Sequence, residues 1–420
     1  MSARSSKTKH KTQYQAKHKT QYQAKRKTSK RRSKRGPDLI FLSTLLLILC
    51  FGIVMVFSAS YYVAMTAHSN RLFFVRRQVT FGLLGLGAMF VVIYFVDYHW
   101  LKNRMIVLIG YLGSLSLVVG VMVMGVEKKG AQRWIEIGGI TFQPSEIVKV
   151  AVIIALSAFI VNNQDKMHKA LYICISWTIV GVPAALIARE NLSSAIVVGF
   201  VGMVIIFVSS KVTWYLPLFG GAGVGFGLYA YNLAMTTDPS EELGWRTLGG
   251  ILKQYRLNRL RVWKNPWLDP QNGGYQAIQS LYAVGSGGLF GLGIGMGVQK
   301  LGFIPEPHND IIFAVIAEEL GLIGAAGIII AFTILVVRGL IIGIQAQDLF
   351  GMLVATGLST MIGIQVLINV AVNTNTIPTT GMQLPFISYG GTALVVALGS
   401  MGIILNISRF ANVRKVDGLR

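Results

Sequence analysis

The sequence predicts an all-α, polytopic membrane protein with ten transmembrane helices and one large extracytoplasmic loop between helices 7 and 8. Three observations carry this. Of 420 residues, 53% are hydrophobic and only 13% are charged, a balance that water-soluble domains of this size do not show. The apolar residues gather into segments near the ~20 residues that a helix needs to cross the hydrocarbon core. The polar residues gather between them, above all in one long interruption from Thr236 to Glu319.

At the N-terminus the formal net charge of +22 is concentrated: Met1 to Arg35 holds 14 Lys or Arg and no acid. The run Lys9 to Ala16 is copied at Lys17 to Ala24 and begun again at Lys25. A polar, basic repeat cannot bury enough apolar surface to fold, so residues 1–37 read as a disordered cytoplasmic tail. Such a tail rests on anionic lipid, each Lys or Arg near the surface contributing about 1 kcal/mol. A nucleic-acid partner is not expected, because the only interleaved aromatics are Tyr14 and Tyr22. No cleavable signal peptide is expected either, since the first apolar run begins after Pro37-Asp38 and is of span length. Cys50 and Cys174 fall inside spans, which implies neither a disulfide framework nor a metal site.

The membrane domain, 38–408, contains ten apolar segments: Leu39 to Tyr61, Val79 to Val96, Met105 to Met124, Ile147 to Val161, Ala170 to Ala188, Ser194 to Val208, Leu216 to Ala234, Ile311 to Val337, Met352 to Val372 and Thr392 to Ile407. An even count puts both termini on one side. The basic N-terminal tail and the short tail 409–420, with Arg409, Arg414, Lys415 and Arg420, make that side the cytoplasm. Lys102, Arg104, Lys166 and Lys169 in short loops agree. The long loop, 236–310, then lies outside, and its basic residues run against the positive-inside bias, which suggests an anionic ligand there.

The second outer loop carries Arg133 and Trp134, then Gln143-Pro144-Ser145-Glu146-Ile147-Val148-Lys149. Ser145 is placed to cap the fourth span, and Glu146 and Lys149 share one helix face. Two accounts stand side by side: an intrahelical ion pair with a cap, or a site, because ionisable groups at the mouth of a span are costly. Arg189-Glu190-Asn191 reads as a tight reversal between spans five and six.

Within the long loop, Leu248, Ile251, Leu252, Tyr255 and Val262 recur at helical spacing while Lys253, Arg256 and Arg259 take other positions, as in an interfacial amphipathic helix. Its basic face is either solvated near lipid phosphate or bound to a pyrophosphate, for which Arg is suited to bidentate contact. From Gly274 a second apolar stretch folds back into the protein, followed by glycines 285, 287, 288, 291, 293, 295 and 297. Glycines this dense permit close backbone approach. They lack the Gly-Lys-Ser/Thr ending and strand context of a phosphate loop.

Asp310 follows Pro305-Glu306-Pro307-His308-Asn309 and precedes the eighth span, so rigid turns hold a carboxylate at the membrane surface. It is either a catalytic carboxylate or the N-cap of that helix. Glu318 lies eight residues on, roughly 12 Å along a helix, and with Glu319 is expected to face the bundle interior. The ninth span ends in Asn369, Asn373 and Asn375, followed by a Pro/Gly-rich stretch through Ser388-Tyr389-Gly390-Gly391. Irregular backbone at membrane depth must line protein or a watery cavity, so this stretch belongs to the same outer cavity.

Four blocks in order carry a resemblance: Gly-x-x-Arg-Trp-Ile with Gln-Pro-Ser-Glu-x-x-Lys; Asn-Pro-Trp-x-Asp-Pro with Gly-Tyr-Gln-x-x-Gln-Ser; Pro-Glu-Pro-x-x-Asp-x-Ile-Phe-Ala with Glu-Glu-Leu-Gly; and Leu-Pro-Phe-Ile-Ser-Tyr-Gly-Gly. Together they resemble the SEDS family of bacterial cell-wall polymerases over Pro37 to Arg409, nearer its division and sporulation members than its elongation members. The resemblance implies ten spans, glycan polymerisation from lipid II with release of undecaprenyl diphosphate, a class B penicillin-binding protein as partner and other divisome proteins around it. It implies that Asp310 is the essential outer-loop aspartate, Glu146 and Lys149 the conserved acid and lysine, and Trp134 the loop tryptophan. Where many relatives have Gln-Pro-Asp-Leu-Gly-Thr, this chain has Arg189 to Ser194, so no role carries over to that segment's acid.

Forming a β-1,4 link from an α-linked sugar diphosphate is one inverting displacement. It needs a base, for which Asp310 is the candidate, worth about 10²- to 10⁴-fold. It also needs cationic help for the leaving group, for which the candidates are Lys149, Lys300, Arg256, Arg259 and Arg261. Arg133, Trp134, Glu146, Ser388 and Tyr389 complete the expected substrate site. A divalent cation such as Mg²⁺ could share the charge. The competing function is a lipid II flippase, which should show internal repeats or broken helices. No clear repeat between the halves is evident in the sequence, and the ionisable residues cluster at the outer face.

Overall fold

The computed structural model describes residues 36–128, 131–137, 140–210, 215–236 and 254–411. Its helices are α1 (Leu39–His68), α2 (Phe73–Tyr94), α3 (Arg104–Met124), α4 (Pro144–Asn162), α5 (Ala170–Ala188), α6 (Leu192–Ser209), α7 (Tyr215–Thr236), α8 (Gln254–Lys264), α9 (Tyr275–Ser286), α10 (Ile312–Ile344), α11 (Leu349–Asn373) and α12 (Gly391–Phe410). Among the described residues, nine of these are long and apolar enough to cross a membrane. The chain is therefore an all-α polytopic membrane protein. The remaining long helix, α7, spans 22 residues; its glycines from Gly220 to Gly227, with Tyr229, Tyr231 and Asn232, dilute its apolar character, and it stands at the place in the chain expected for the seventh span.

Local sequence sets the helix starts. Asp38 caps α1 by accepting from the Phe41 amide at 2.9 Å, Asn103 caps α3 through Met105 at 2.9 Å, and Asp348 caps α11 through Gly351 at 3.0 Å. Each satisfies an amide that the helix leaves without a partner. Of the α11 span 72% is buried, against 17% for α3, so α11 is a central pillar and α3 faces the lipid. Around it α10 packs on α11 and α1, α12 on α2, and α4 on α3 and α6.

At the end nearest the chain termini, Arg338 of α10 makes three contacts of 2.7–3.1 Å with the Asp38 carboxylate, and the Asp38 amide donates to Ser408 Oγ at 3.0 Å. Burial pushes the Asp38 carboxyl up, but the Arg338 hydrogen bonds, the Phe41 amide and the Arg338 charge outweigh it and hold it below the usual 3.8. A depressed carboxylate contributes stability above its unfolded value and loses it as pH falls through the folded one. Asp38→Asn, which keeps a capping oxygen, should therefore cost roughly 1 kcal/mol at pH 7. In thermal melts the gap to wild type should close as pH drops below 3.8.

Two features depart from the sequence reading. The loop between α3 and α4 is a small antiparallel sheet, β1 (Val126–Lys128), β2 (Ala131–Ile137) and β3 (Ile140–Phe142), in that order. Trp134 faces Val126 across one pairing, and Ile135 faces Phe142 across the other. The second departure is in α10, which is broken: Gly321 has φ 66° and ψ −168°. The glycine-rich loop enters the break, where the amides of Leu292 and Gly293 donate to the carbonyls of Glu318 and Glu319 at 3.0 and 2.9 Å. In return the amides of Leu322 and Ile323 reach Gly288 and Leu289 at 2.9 and 3.2 Å. Broken helices and ionisable residues away from the loop surface are thus present after all. A helix is present, α8 from Gln254, but it is not segregated into apolar and basic faces as expected, since it buries Arg256 together with Leu257 and Val262; the earlier positions, Leu248, Ile251, Leu252 and Lys253, lie outside the described residues.

Candidate active site

A small cleft opens between β2, the starts of α4, α6 and α12, and the chain joining α11 to α12. Trp134, Glu146, Asn191, Gln365, Gln383 and Ser388 line it. The joining chain is irregular, with positive φ at Asn375, Gly381 and Phe386, and it is held by side chains. Asn369 donates to the Met382 carbonyl at 2.7 Å. Ser388 Oγ accepts from the Leu384 amide at 2.8 Å and donates to the Asn309 carbonyl at 2.7 Å. Gln78 of α2 donates to the Ser388 carbonyl at 3.3 Å.

Those bonds bring the Pro305–Asp310 turn to the cleft margin. The Asp310 carbonyl accepts from Asn369 at 2.8 Å and from Asn373 at 3.0 Å. The capping position of α10 is the next residue, Ile311, which makes no side-chain cap. Asp310 Oδ2 lies 3.7 Å from the point a β-carbon would occupy on Gly381, a residue with φ +69° that itself lines the cleft. Beside it, the buried His308 ring packs on Phe74 with centroids 4.2 Å apart. Tyr389 meets Phe74 edge-on at 5.2 Å and donates its amide to the His308 carbonyl at 2.9 Å. The backbone and side-chain positions that fix Asp310 thus come from α2, α11 and the α11–α12 chain.

Glu146 and Lys149 form the ion pair at 2.8 Å, with Lys149 only 2% exposed. Glu146 faces the cleft, and Lys149 stands behind it among α4, α6 and α11. Ser145 is not the cap of α4: Gln143 occupies that position and Pro144 opens the helix, where its missing N–H is no loss. Asn191 does cap α6, accepting from Ser194 at 3.1 Å, which accounts for the tight reversal.

The basic candidates are corrected. Arg256 donates to the carbonyls of Ala188 and Arg189 at 2.7 and 2.9 Å, holding α8 to the end of α5. Arg261 donates to the Ala234 carbonyl of α7. Lys300 is 3% exposed against Glu319 and does not line the cleft. Arg259 is tied to the cleft chain through the Thr379 carbonyl at 3.1 Å. Arg133 lies on β2 next to Trp134, with its side chain outside the described residues. Sequence reasoning missed Gln143, Asn191, Gln365 and Gln383 as lining residues. Gln365, Asn369 and Asn373 recur every four residues along α11, a polar helical stripe that could have announced Gln365. Among the described residues, no group of three or more His, Cys, Asp or Glu is gathered to hold a metal ion.

The family described as Cell cycle protein, FtsW/RodA/SpoVE, matches residues 38–413. A probable peptidoglycan glycosyltransferase FtsW of Geobacter sp. (strain M18) is 36% identical over 389 residues, covering 90% of this chain and 98% of that protein. Stage V sporulation protein E of Bacillus subtilis (strain 168) is 37% identical over 391 residues, with 90% and 98% covered. Among solved structures, a chain of a peptidoglycan synthase complex coordinating polymerization and crosslinking superposes with a TM-score of 0.67 at 25% identity, covering 89% of this chain and 98% of that one. The rod shape determining protein RodA of Thermus thermophilus, at 23% identity and a TM-score of 0.60 with 89% and 97% covered, shares the fold.

Proposed function

The chain belongs to the FtsW, RodA and SpoVE family, and from that membership and the cleft we infer that it is a peptidoglycan glycosyltransferase polymerising lipid II. The observation that carries the mechanism is Asp310 at the margin of a polar cleft, its backbone carbonyl held by hydrogen bonds from α11. Asp310 takes the proton from the acceptor sugar hydroxyl as that oxygen attacks the donor's anomeric carbon. The bond to diphosphate breaks, undecaprenyl diphosphate leaves, and the anomeric configuration inverts. Trp134 offers an apolar wall to a sugar ring, and Glu146, held from behind by Lys149, orients hydroxyls. Arg259 and Arg133 are the cations proposed for the leaving diphosphate. A Mg²⁺ ion fits one or two carboxylates plus substrate phosphates; Asp310 or Glu146 would hold it, and it would neutralise diphosphate charge.

The cleft belongs on the outer face and both termini in the cytoplasm, a placement supported by the 14 basic residues of the tail. A class B penicillin-binding protein is the proposed partner. This is supported by the similarity to a chain from a complex that couples polymerization with crosslinking. Other division proteins, and anionic lipid at the tail, complete the proposed surroundings.

The break in α10 favours a second reading, a flippase, because discontinuous helices are common in transporters. The deciding experiment supplies labelled lipid II to the purified protein with its partner, in detergent and in vesicles. Glycan polymer in detergent, where translocation has no meaning, is the expected result. Translocation in vesicles without polymer would replace the polymerase with the flippase.

A further inference from the structure

The break in α10 leaves a helical segment, 312–320, joined to the rest of the helix only through the non-helical Gly321. Asp310 stands at the start of that segment. What stops the segment from pivoting is a buried cluster at its far end. Lys300 Nζ lies 2.5 Å from Glu319 Oε1 and 2.8 Å from Ser58 Oγ of α1. The Ser58 hydroxyl donates to the same carboxylate, 2.6 and 2.8 Å from its two oxygens. Glu319 Oε2 accepts from the Gly295 amide at 3.0 Å. Next to it, Glu318 Oε1 accepts from the amides of Val298 and Gln299 at 2.8 and 3.1 Å.

We propose that Lys300, Glu318, Glu319 and Ser58 form a clamp that positions Asp310. The clamp closes the neck of a loop running from Gly295–Lys300 out to Asp310 and back to Glu318–Glu319. Asn369, Asn373 and Ser388 hold its tip; the clamp holds its base. The catalytic part of this inference rests on the reading of Asp310 as the base. The mechanical part does not.

Two observations make the clamp more than ordinary packing. At the neck, the side chains of Met296 and Val298 are 71% and 48% exposed, so their burial does not set where the neck sits. Its backbone amides do that, and the two carboxylates are among their acceptors. Secondly, Glu318 and Glu319 are fully buried and Lys300 nearly so. Burying such ions is unfavourable unless they pair and bond well; Glu319 does both, through Lys300, Ser58 and the Gly295 amide, while among the described residues Glu318 bonds through Oε1 alone. The ions are there for the directional bonds they make.

The test uses the full chain with its partner. Lys300→Met removes the ammonium and leaves a buried carboxylate; Lys300→Met with Glu319→Gln removes both charges and keeps an oxygen for the Gly295 amide. A shift of about 1 Å at a reacting group is worth about 100-fold in rate, so Lys300→Met should lower kcat by at least tenfold with KM little changed. The double variant should recover most of that loss. Amide hydrogen exchange reads the mechanics without any assay of activity: Lys300→Met should speed exchange at 295–299 and, together with it, at 309–314. Exchange that rises only at 295–299, or a kcat loss that the double variant does not recover, overturns the clamp. Coupled exchange in a wild type that makes no polymer would keep the clamp and remove the polymerase reading.

Discussion

Asp310→Asn should lower the rate of glycan polymerisation by about 10²- to 10⁴-fold, the range that a positioned general base supplies, while leaving the melting temperature within a degree or two of wild type. The asymmetry follows from how the residue is held. Its carbonyl, not its carboxylate, takes the bonds from Asn369 and Asn373, and those bonds survive the change. The capping position of α10 is Ile311, not Asp310. An asparagine of the same size also fits against Gly381, but its amide takes no proton from a sugar hydroxyl. Polymer formed at the wild-type rate by the folded variant would make Asp310 a turn residue and move the search for the base to Glu146. The companion variant Asn369→Ala has a different signature. It removes the donor to both Asp310 and Met382, so both activity and melting temperature should fall.

The spans were readable because length and apolarity are local properties, and they survive in nine helices of the described chain. The cleft was readable in part. A carboxylate behind two prolines, an acid and lysine three apart on one helix face, and a Pro/Gly run after a membrane span all point to a polar cavity from sequence alone. The partners of the cations were not readable. Arg256 looks like a phosphate ligand in sequence, but its partners are carbonyls 67 and 68 residues away, at the end of a different helix. Lys300 was misplaced for the same reason, since its partner Ser58 lies 242 residues away. The small sheet escaped because its outer strands have three residues each, too few to show an alternation. The glycine run was understood in kind, as close backbone approach, but its destination, a break in α10, depends on a contact that no local pattern encodes.

That contact supports the other large prediction. Gly321→Ala should destabilise the protein by more than about 3 kcal/mol, since the backbone region it occupies is nearly closed to side chains and the new methyl has nowhere to go. With φ 66° and ψ −168°, a β-carbon at 321 would lie 2.5 Å from the Leu289 carbonyl oxygen and against the Gly291 amide. Both obstacles are backbone, so no rotamer change relieves them. The loop would have to leave the break, exposing the carbonyls of Glu318 and Glu319 in a place with little water. Gly327→Ala is the matched control: it lies in the same helix, with nothing within 4 Å of its β-carbon, and helix propensity favours alanine there by about 1 kcal/mol. Melting curves of the two variants in detergent should therefore move in opposite directions. A Gly321→Ala protein as stable as wild type would mean that the loop does not occupy the break, and the clamp on Asp310 would go with it.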